Sequence, residues 1–369
     1  MHSRTVHFAI AVAGLQLASA HDSRAAASFQ GLGDLPGGGV HSEAQAISAD
    51  GSVVVGTSSI GPHSRIAGFE AFRWSAATGM VGLGTLTPPG TAVTYSGAFG
   101  LSAEGAIVVG ERVVGPLQWQ ALRWDEANGM VGLPDQGPGF SSSQARGVSA
   151  DGSVVAGRAR LSDVVYEGFR WDGTIGMIGL GDLSGGRFWS EAEGISADGR
   201  IIVGMSISTS GDEAFRWDAT SGMLGLNDLL PGSSSSSHAY AASADGSVVV
   251  GDSASIPGRQ AFRWDARDGM VGLGDLAGGS FQSMAYAVSA DGSVVVGASD
   301  PGTLQGAFIW DASNGMRELD GVLAQLGVDV AGWMLLRATG ISAGRLTREI
   351  RQGPAQAARR ASLTAAPAS

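Results

Sequence analysis

Short runs of alternating small, apolar and polar residues, joined by glycine-containing turns, recur along most of this chain. In "SEAQAIS" at 42–48 small residues alternate with larger ones, and "SVVVG" at 52–56 is rich in β-branched side chains. Asp50-Gly51 lies between them and predicts a tight β-hairpin, because such a turn needs positive φ. A second pair, "EAFRWSA" and "MVGLGTL", is joined by a turn that carries Gly79. The pattern predicts four short strands in about 47 residues, without helical periodicity.

This four-stranded unit repeats at a nearly constant spacing. The serine of the "SADG" turn falls at 48, 102, 149, 196, 243, 289 and, in altered form, 342, so that the gaps are 54, 47, 47, 47, 46 and 53 residues. Four-stranded units of about 40 to 50 residues are typical of β-propeller blades. A β-helix is the alternative, but its rungs are usually shorter and lack paired hairpins. The spacing therefore favours a propeller.

The first and last repeats predict how the ring closes. A strand of the "GLGDL" type occurs seven times, and its first copy, at 31–35, has no hairpin before it. The last hairpin begins "ATGISA" at 338–343 and has no strand pair after it. We therefore predict an all-β, seven-bladed β-propeller over residues 29–343, with an incomplete last blade that the N-terminal strand at 29–35 closes. Closure of this kind protects sheet edges that would otherwise invite aggregation.

The two ends of the chain differ from the repeat. Residues 1–20 contain Arg4, a largely apolar run at 8–17 and Ala18-Ser19-Ala20, which is typical of an export signal peptide, although an ordinary hydrophobic N-terminus is the alternative. Residues 344–369 do not follow the repeat, and we predict a disordered tail that is either native or the product of a reading-frame shift. No other stretch reaches the length of a membrane-spanning helix. We predict a secreted, extracellular protein that does not span a membrane.

Charge and composition exclude several classes of function. The formal net charge is −11 and every basic residue is arginine, which makes nucleic acid and anionic membranes poor partners. The absence of cysteine excludes disulfide bonds and cysteine-based zinc sites. The sequence contains no nucleophile elbow, phosphate-cradling loop or histidine pair at metal-ligand spacing. We therefore predict no cofactor, no bound metal and no nucleic-acid partner.

Residues that recur in every unit are predicted to be structural. The turn carboxylates occur once per blade, too far apart to converge on one calcium ion. The repeated tryptophan is predicted to pack between blades, and the arginine before it to face the aspartate of the neighbouring turn. The turn residues are Asp50, Glu104, Asp151, Asp198, Asp245 and Asp291, and the tryptophans are Trp74, Trp124, Trp171, Trp217, Trp264 and Trp310.

Function is expected where the repeats disagree. The first strand of each unit reads Ser-x-Ala-z, and positions x and z vary among charged, polar and aromatic residues. If this strand is innermost, as its small residues suggest, these side chains lie near a central channel and would suit a glycan or another small polar ligand. Drift at partly exposed positions is the alternative. The candidate binding residues are Arg146, Glu191, Glu193, His238, Tyr240 and Tyr286.

Two functions lead, and a third alternative is the passenger of a larger surface system. The first is a non-catalytic binding or interaction module, with a glycan or surface polymer as the candidate partner. The second is a carbohydrate-active enzyme, because Glu191 and Glu193 lie on one face of a strand and paired carboxylates cleave glycosidic bonds. No residue is assigned as catalytic. Aromatic residues outside the repeated motifs could stack on sugars or cap the blades: Tyr95, Trp119, Tyr166, Phe188, Trp189 and Phe281.

The repeat resembles the extracellular repeat family named for its His-Ala-Phe tripeptide, the HAF repeat. The resemblance covers roughly 29–343 and includes the Ser-Ala-Asp-Gly turn and the Trp-Asp pair. It implies a bacterial secreted or surface protein and no general activity. The histidine is replaced in every unit, so no role carries over for it. The matching positions are Glu70-Ala71-Phe72, Gln120-Ala121-Leu122, Glu167-Gly168-Phe169, Glu213-Ala214-Phe215, Gln260-Ala261-Phe262 and Gly306-Ala307-Phe308.

Overall fold

Antiparallel β-strands make up nearly all of the regular structure. A computed structural model describes residues 7–13, 27–39, 41–61, 68–85, 95–115, 118–134, 142–162, 164–230, 235–302, 305–342 and 345–352. The N-terminal strands are β1 (His7–Ala13) and β2 (Ser28–Gly31), and the repeats begin with β3 (Ser42–Ile47), β4 (Val53–Ser59), β5 (Phe69–Ser75), β6 (Gly79–Gly82), β7 (Ser96–Leu101), β8 (Val108–Gly115), β9 (Gln118–Asp125) and β10 (Gly129–Gly132).

The remaining elements follow the same order of strands. They are β11 (Ser142–Val148), β12 (Val154–Ser162), β13 (Val165–Asp172), β14 (Gly176–Gly179), β15 (Gly185–Ile195), β16 (Ile202–Ser208), β17 (Gly211–Asp218), β18 (Gly222–Gly225), β19 (Ser235–Ala242), β20 (Val248–Ala254), β21 (Arg259–Asp265), β22 (Gly269–Gly272), β23 (Ser283–Val288), β24 (Val294–Ser299), β25 (Gly306–Asp311), β26 (Gly315–Glu318), α1 (Leu319–Gln325), β27 (Trp333–Ser342) and β28 (Arg345–Gln352).

These strands form four-stranded antiparallel groups. In the part of the chain that is described, six groups run in chain order from β3 to β26, and a last group has the order β2-β1-β28-β27. A short parallel contact between β17 and β19 joins two neighbouring groups. Antiparallel meanders of this kind are not the parallel rungs of a β-helix. The predicted all-β fold of four-stranded, propeller-like units is therefore confirmed.

The first strand of each group is the innermost one. β3, β7, β11, β15, β19, β23 and β27 each contact the first strand of the next group, and β27 in turn contacts β3. Just beyond these strands the backbone N–H of Ala49 donates to the Ala103 carbonyl at 2.9 Å. The same bond links Ala103 to Ala150, Ala150 to Ala197, Ala197 to Ala244 and Ala244 to Ala290. A belt of backbone hydrogen bonds therefore joins successive groups around a common axis.

The recurrent aspartate closes the hairpin turn. In the third group the Ser149 hydroxyl donates to Asp151 Oδ1 at 2.6 Å and accepts the Val154 N–H at 3.0 Å. Asp151 also accepts the Ser153 N–H at 3.0 Å, and Gly152 has φ 76°, a conformation that favours glycine. These bonds hold the pKa of Asp151 at about 2. Each of its contacts thus belongs to the turn.

The repeated arginine has a different partner from the one expected. Arg263 pairs with Asp265 in its own strand, and not with the aspartate of the neighbouring turn. Residues two apart on a strand share a face, which brings Asp265 within reach. The Arg263 Nε–H instead donates to the carbonyl of Gly292 in the next turn, at 3.3 Å. Arg263 therefore contacts the neighbouring turn through a backbone carbonyl and not through the aspartate side chain.

The core lies between adjacent groups. The large apolar residue two positions before each tryptophan is completely buried, as Phe262 illustrates. Phe262 of β21 packs in one cluster with Val203 of β16 and Val249 of β20, and Trp264 covers the edge of that cluster. The fourth and fifth groups thus share one core, and the predicted packing of the tryptophan between blades is what the structure has. The other fully buried residues at the Phe262 position are Phe72, Leu122, Phe169, Phe215 and Phe308.

The last group draws strands from both chain ends. β28 pairs with β27, β1 pairs with β28, and β2 pairs with β1 as the outermost strand. β1 falls within the predicted signal peptide, β28 within the predicted tail, and β2 overlaps the strand predicted at 29–35. The other residues of 1–20 and 344–369 lie outside the described residues. The domain boundaries at 20 and 344 stay predictions.

Candidate functional site

A β-bulge at the same place in six successive first strands positions the variable residues. The pairing register shifts between Ala44 and Ala46 in β3, and at the equivalent place in β7, β11, β15, β19 and β23. The residue skipped by the register is the one at position z. A bulge re-aims the extra side chain and bends the strand. The z residues are Gln45, Phe99, Arg146, Glu193, Tyr240 and Tyr286.

Small residues after the bulge let the first strands approach closely. A Cβ added to Gly194 would lie 2.6 Å from the Tyr240 carbonyl oxygen of the next first strand. A Cβ added to Gly147 would lie 2.9 Å from the Ile195 side chain. Because neighbouring strands are this close, their x and z side chains come together across group boundaries. The candidate residues consequently form two side-chain clusters.

The first cluster, here called the arginine–carboxylate cluster, is Glu111, Gln144, Arg146, Arg158, Glu191 and Glu193. Arg158 donates to Glu191 Oε2 at 2.5 Å and also to the Gln144 side-chain carbonyl. The second Glu191 oxygen accepts the Trp189 indole N–H at 3.1 Å. Arg146 Nε lies 3.7 Å from Glu193 Oε2, and its guanidinium stacks over Phe99, 4.6 Å from the ring centroid. The cluster thus spans three neighbouring groups.

Burial in this cluster perturbs two of its carboxyl groups. Burial raises the pKa of Glu111, and Arg146 and Arg158 oppose that rise. Burial also raises the pKa of Glu193, which the same two arginines oppose and the Glu191 charge reinforces. Glu193 nevertheless keeps 28% of its side-chain surface exposed. Glu193 is therefore desolvated by its surroundings and still partly open to solvent.

The second cluster, here called the tyrosine cluster, is His238, Asp252, Arg259, Tyr240 and Tyr286. The Tyr240 and Tyr286 rings lie 5.6 Å apart, and those of His238 and Tyr240 6.4 Å. Asp252 is fully buried and pairs with Arg259, which also contacts His238 Nδ1 at 2.9 Å. Burial raises the pKa of Tyr240, and the adjacent Asp252 carboxylate adds to that rise. Burial also lowers the pKa of His238, so the imidazole is neutral at pH 7.

The two clusters adjoin each other. His238 of β19 lies within electrostatic range of Glu191 of β15, on the neighbouring first strand. All six sequence-predicted site residues therefore lie along one arc of the inner surface. Their role in binding remains a prediction.

Sequence reasoning missed the second-strand members of both clusters. Each x residue pairs directly with a residue of the second strand, and Gly97 with Glu111, Gln144 with Arg158 and His238 with Asp252 are such pairs. The same column reads Thr57, Glu111, Arg158, Met205, Asp252 and Ala298. Its variation in an otherwise regular strand is the signal that could have revealed these residues.

Several aromatic residues outside the repeated motifs lie together near the first strands. His41, Phe69, Tyr95 and Trp119 make successive edge-to-face contacts with centroid separations of 5.4, 6.3 and 5.1 Å. The Tyr95 hydroxyl lies where a side chain at Gly97 would be. Burial and the charge of Glu111 raise the pKa of Tyr95 to about 12. Tyr95 therefore connects this row to the arginine–carboxylate cluster.

The other predicted aromatic residues lie apart from that row. Tyr166 and Trp189 contact each other at 4.9 Å. Phe188 is 40% exposed and Phe281 is half-buried. Within the described ranges no three His, Asp or Glu side chains are grouped so as to hold a metal ion. In the same ranges no helix has the length and apolar character needed to cross a bilayer.

Solved structures are similar to this chain at low sequence identity. A puromycin hydrolase S511A mutant complexed with PGG has a TM-score of 0.51 and 17% identity, over 81% of this chain and 48% of that one. Oligogalacturonate lyase in complex with manganese has a TM-score of 0.50 and 14% identity, over 84% and 88%. TolB from Acinetobacter baumannii has a TM-score of 0.45 and 13% identity, over 68% and 58%. The chain thus spans less than two thirds of that TolB and of the hydrolase.

The likeness to the lyase and the hydrolase supports a propeller fold and no particular activity. No protein-family model and no curated protein matches the chain. The resemblance to the HAF repeat family therefore stays a prediction.

Proposed function

We propose that this protein is a secreted, seven-bladed propeller that acts as a non-catalytic ligand-binding module, with its ligand in the axial channel. The observation that carries the proposal is the convergence of variable residues. Side chains that recur from repeat to repeat form turns, ion pairs and cores. Side chains that differ between repeats meet on the inner surface, where neighbouring first strands are adjacent. A rigid scaffold whose inner-surface residues vary between repeats is suited to ligand binding.

Contacts between the first and last groups support the seven-bladed ring. The Thr339 hydroxyl donates to the Ala44 carbonyl at 2.9 Å, and Arg337 lies 3.6 Å from Glu43. Thr339 and Arg337 are the z and x residues of β27, so the variable positions also continue across this boundary. Secretion is proposed from residues 1–20 and from the HAF resemblance.

Binding can be tested with a thermal-shift screen of neutral and acidic sugars, amino acids and nucleotides. We expect at least one class to raise the melting temperature of the wild-type protein. Tyr240→Ala and Arg146→Ala should each abolish that shift, because both residues line the proposed channel. Phe188→Ala is the matched control, since it removes an exposed aromatic ring that belongs to neither cluster. A shift that survives both channel substitutions would place the ligand elsewhere.

A carbohydrate-active enzyme is the second candidate, and one observation favours it. Glu193 has a raised pKa, as a general acid requires, while Arg158 and Trp189 hold the neighbouring Glu191 by both oxygens. Product release from a glycan hit, followed by chromatography, tests this function. Catalysis predicts that Glu193→Gln abolishes release and leaves binding intact. Binding without release in the wild-type protein supports the module.

A further inference from the structure

Two buried polar atoms of the arginine–carboxylate cluster have no hydrogen-bond partner. Glu111 is 5% exposed, and its Oε2 accepts no hydrogen bond. Arg146 Nε is likewise buried and unpartnered, since Glu193 Oε2 at 3.7 Å is beyond hydrogen-bond distance. A buried charged group without its full set of hydrogen bonds is costly. Such atoms therefore point to a polar group that binds at this cluster.

The two atoms belong to one small region. Gln144 links their side chains, because its carbonyl accepts from Arg146 at 3.4 Å and its amide donates to Glu111. The positive charge of Arg146 also acts on Glu111, whose pKa it lowers against the effect of burial. One atom is a donor and the other an acceptor. A hydroxyl group satisfies both, because it can accept from N–H and donate to a carboxylate oxygen.

The charges of the cluster disfavour an ionic ligand. Glu111, Glu191 and Glu193 oppose the two arginines, Arg146 and Arg158, within the same contact network. An anion placed there would meet three carboxylates, and a cation would meet two guanidinium groups. The stacking of Arg146 on Phe99 fixes the donor before any ligand arrives. The adjoining Tyr240 and Tyr286 rings add apolar surface of the kind that packs against sugar rings.

We infer that the channel takes an uncharged, polyhydroxylated ligand, a neutral glycan, and that Glu111 Oε2 and Arg146 Nε bind one of its hydroxyl groups. This inference rests on the proposed function and specifies the chemical class of its ligand. It also assigns a binding role to Glu111, a residue of the second strand β8.

The experiment combines a glycan array with calorimetry. The array carries neutral oligosaccharides together with their uronic-acid and amino-sugar counterparts, and neutral members should bind best. For the best neutral hit, Glu111→Gln and Arg146→Lys should each weaken affinity about tenfold or more, because the first replaces a charged acceptor by a neutral amide and the second removes the Nε–H donor. Arg263→Lys and Glu213→Gln make the same substitutions outside the channel and should change affinity less than about twofold.

Two outcomes would overturn the inference. One is an array that retains only charged glycans or none, a result that needs no variant and so does not depend on variant folding. The other is unchanged affinity for a neutral glycan in folded Glu111→Gln and Arg146→Lys proteins. In either case the channel-binding function would still be supported if a compound other than a neutral sugar raised the melting temperature of the wild-type protein and Tyr240→Ala abolished that rise. The two proposals can therefore fail separately.

Discussion

At the scale of single residues, one group exchanges an arginine and an aliphatic residue across two strands. In the fifth group Arg263 lies opposite Val271, and Arg263 pairs with Asp265. In the sixth group the opposite pair is Ile309 and Arg317, and Arg317 pairs with Asp311. The ion pair is kept although the arginine changes strands. The fold therefore needs one guanidinium beside this aspartate, and the third or the fourth strand of the group can supply it.

This exchange predicts a compensating double mutant. Arg263→Ile should lower the free energy of unfolding by about 1 kcal/mol, because Asp265 loses its partner at a half-exposed site. Adding Val271→Arg should restore most of that loss, since it reproduces the arrangement of the sixth group. Urea unfolding of the wild-type, single and double mutants measures the coupling. Additive effects of the two substitutions would contradict the interpretation.

The same scale shows what the sequence reveals about the site and what it does not. Variation at x and z selects Arg146, Glu193 and Tyr240, which the structure places on neighbouring first strands, and their role in binding stays a prediction. Glu111 could not be paired with Arg146 in advance, because their proximity depends on how adjacent sheets pack. The arginine partner was wrong for a similar reason: two aspartates were in range, and strand geometry chose the one two residues away.

At the scale of the element, each hairpin depends on a single buried serine. Ser149→Ala should lower the free energy of unfolding by about 2 kcal/mol, because the Val154 N–H loses its acceptor in a buried position. Ser153→Ala is the matched control, since Ser153 is exposed and its hydroxyl contacts only Asp151. Chemical denaturation compares the two. Equal losses would show that burial of the hydrogen bond is unimportant.

Strands and turns were readable from the sequence, but the bulge in the first strand was not. Alternation and Asp-Gly turns locate hairpins because they report local conformation. The bulge is one extra residue in the first strand, and it exists only relative to the register of the second strand. The sequence around it has no distinctive local motif. Because that residue is z, the register of the sheet decides where the candidate side chains point.

At the scale of the whole molecule, carboxyl groups with lowered pKa values and carboxyl groups with raised pKa values change the stability in opposite directions as pH rises. Together they predict a stability maximum in mild acid. The turn hydrogen bonds hold the pKa values of Asp151 and Asp245 at about 2, so their stabilisation is lost as pH falls from about 4 towards 2. Burial raises the pKa values of Glu111 and Glu193, and that of Asp34 to about 6. Their stabilisation is present below about pH 4 and lost as pH rises through the folded values.

The melting temperature should therefore be highest near about pH 4 and fall on both sides. Asp34→Asn should reduce the fall between about pH 4 and 6, because burial raises the pKa of Asp34 to about 6 and the substitution removes that group. Asp245→Asn should reduce the fall on the acid side. Calorimetric scans across pH measure each slope, and a curve that is flat from pH 4 to 7 would contradict the assignment.

The last sheet, unlike the other sheets that the structure describes, contains a strand from the predicted signal peptide, β1 at residues 7–13. Peptidase cleavage after Ala20, at the predicted signal site, would remove β1, expose the hydrogen-bonding edge of β28 and leave β2 without its neighbour. Open edges recruit other strands. We therefore expect a chain that begins at His21 to self-associate, measured by light scattering, whereas the full chain stays monomeric. Maturation would then convert a closed ring into a surface for assembly.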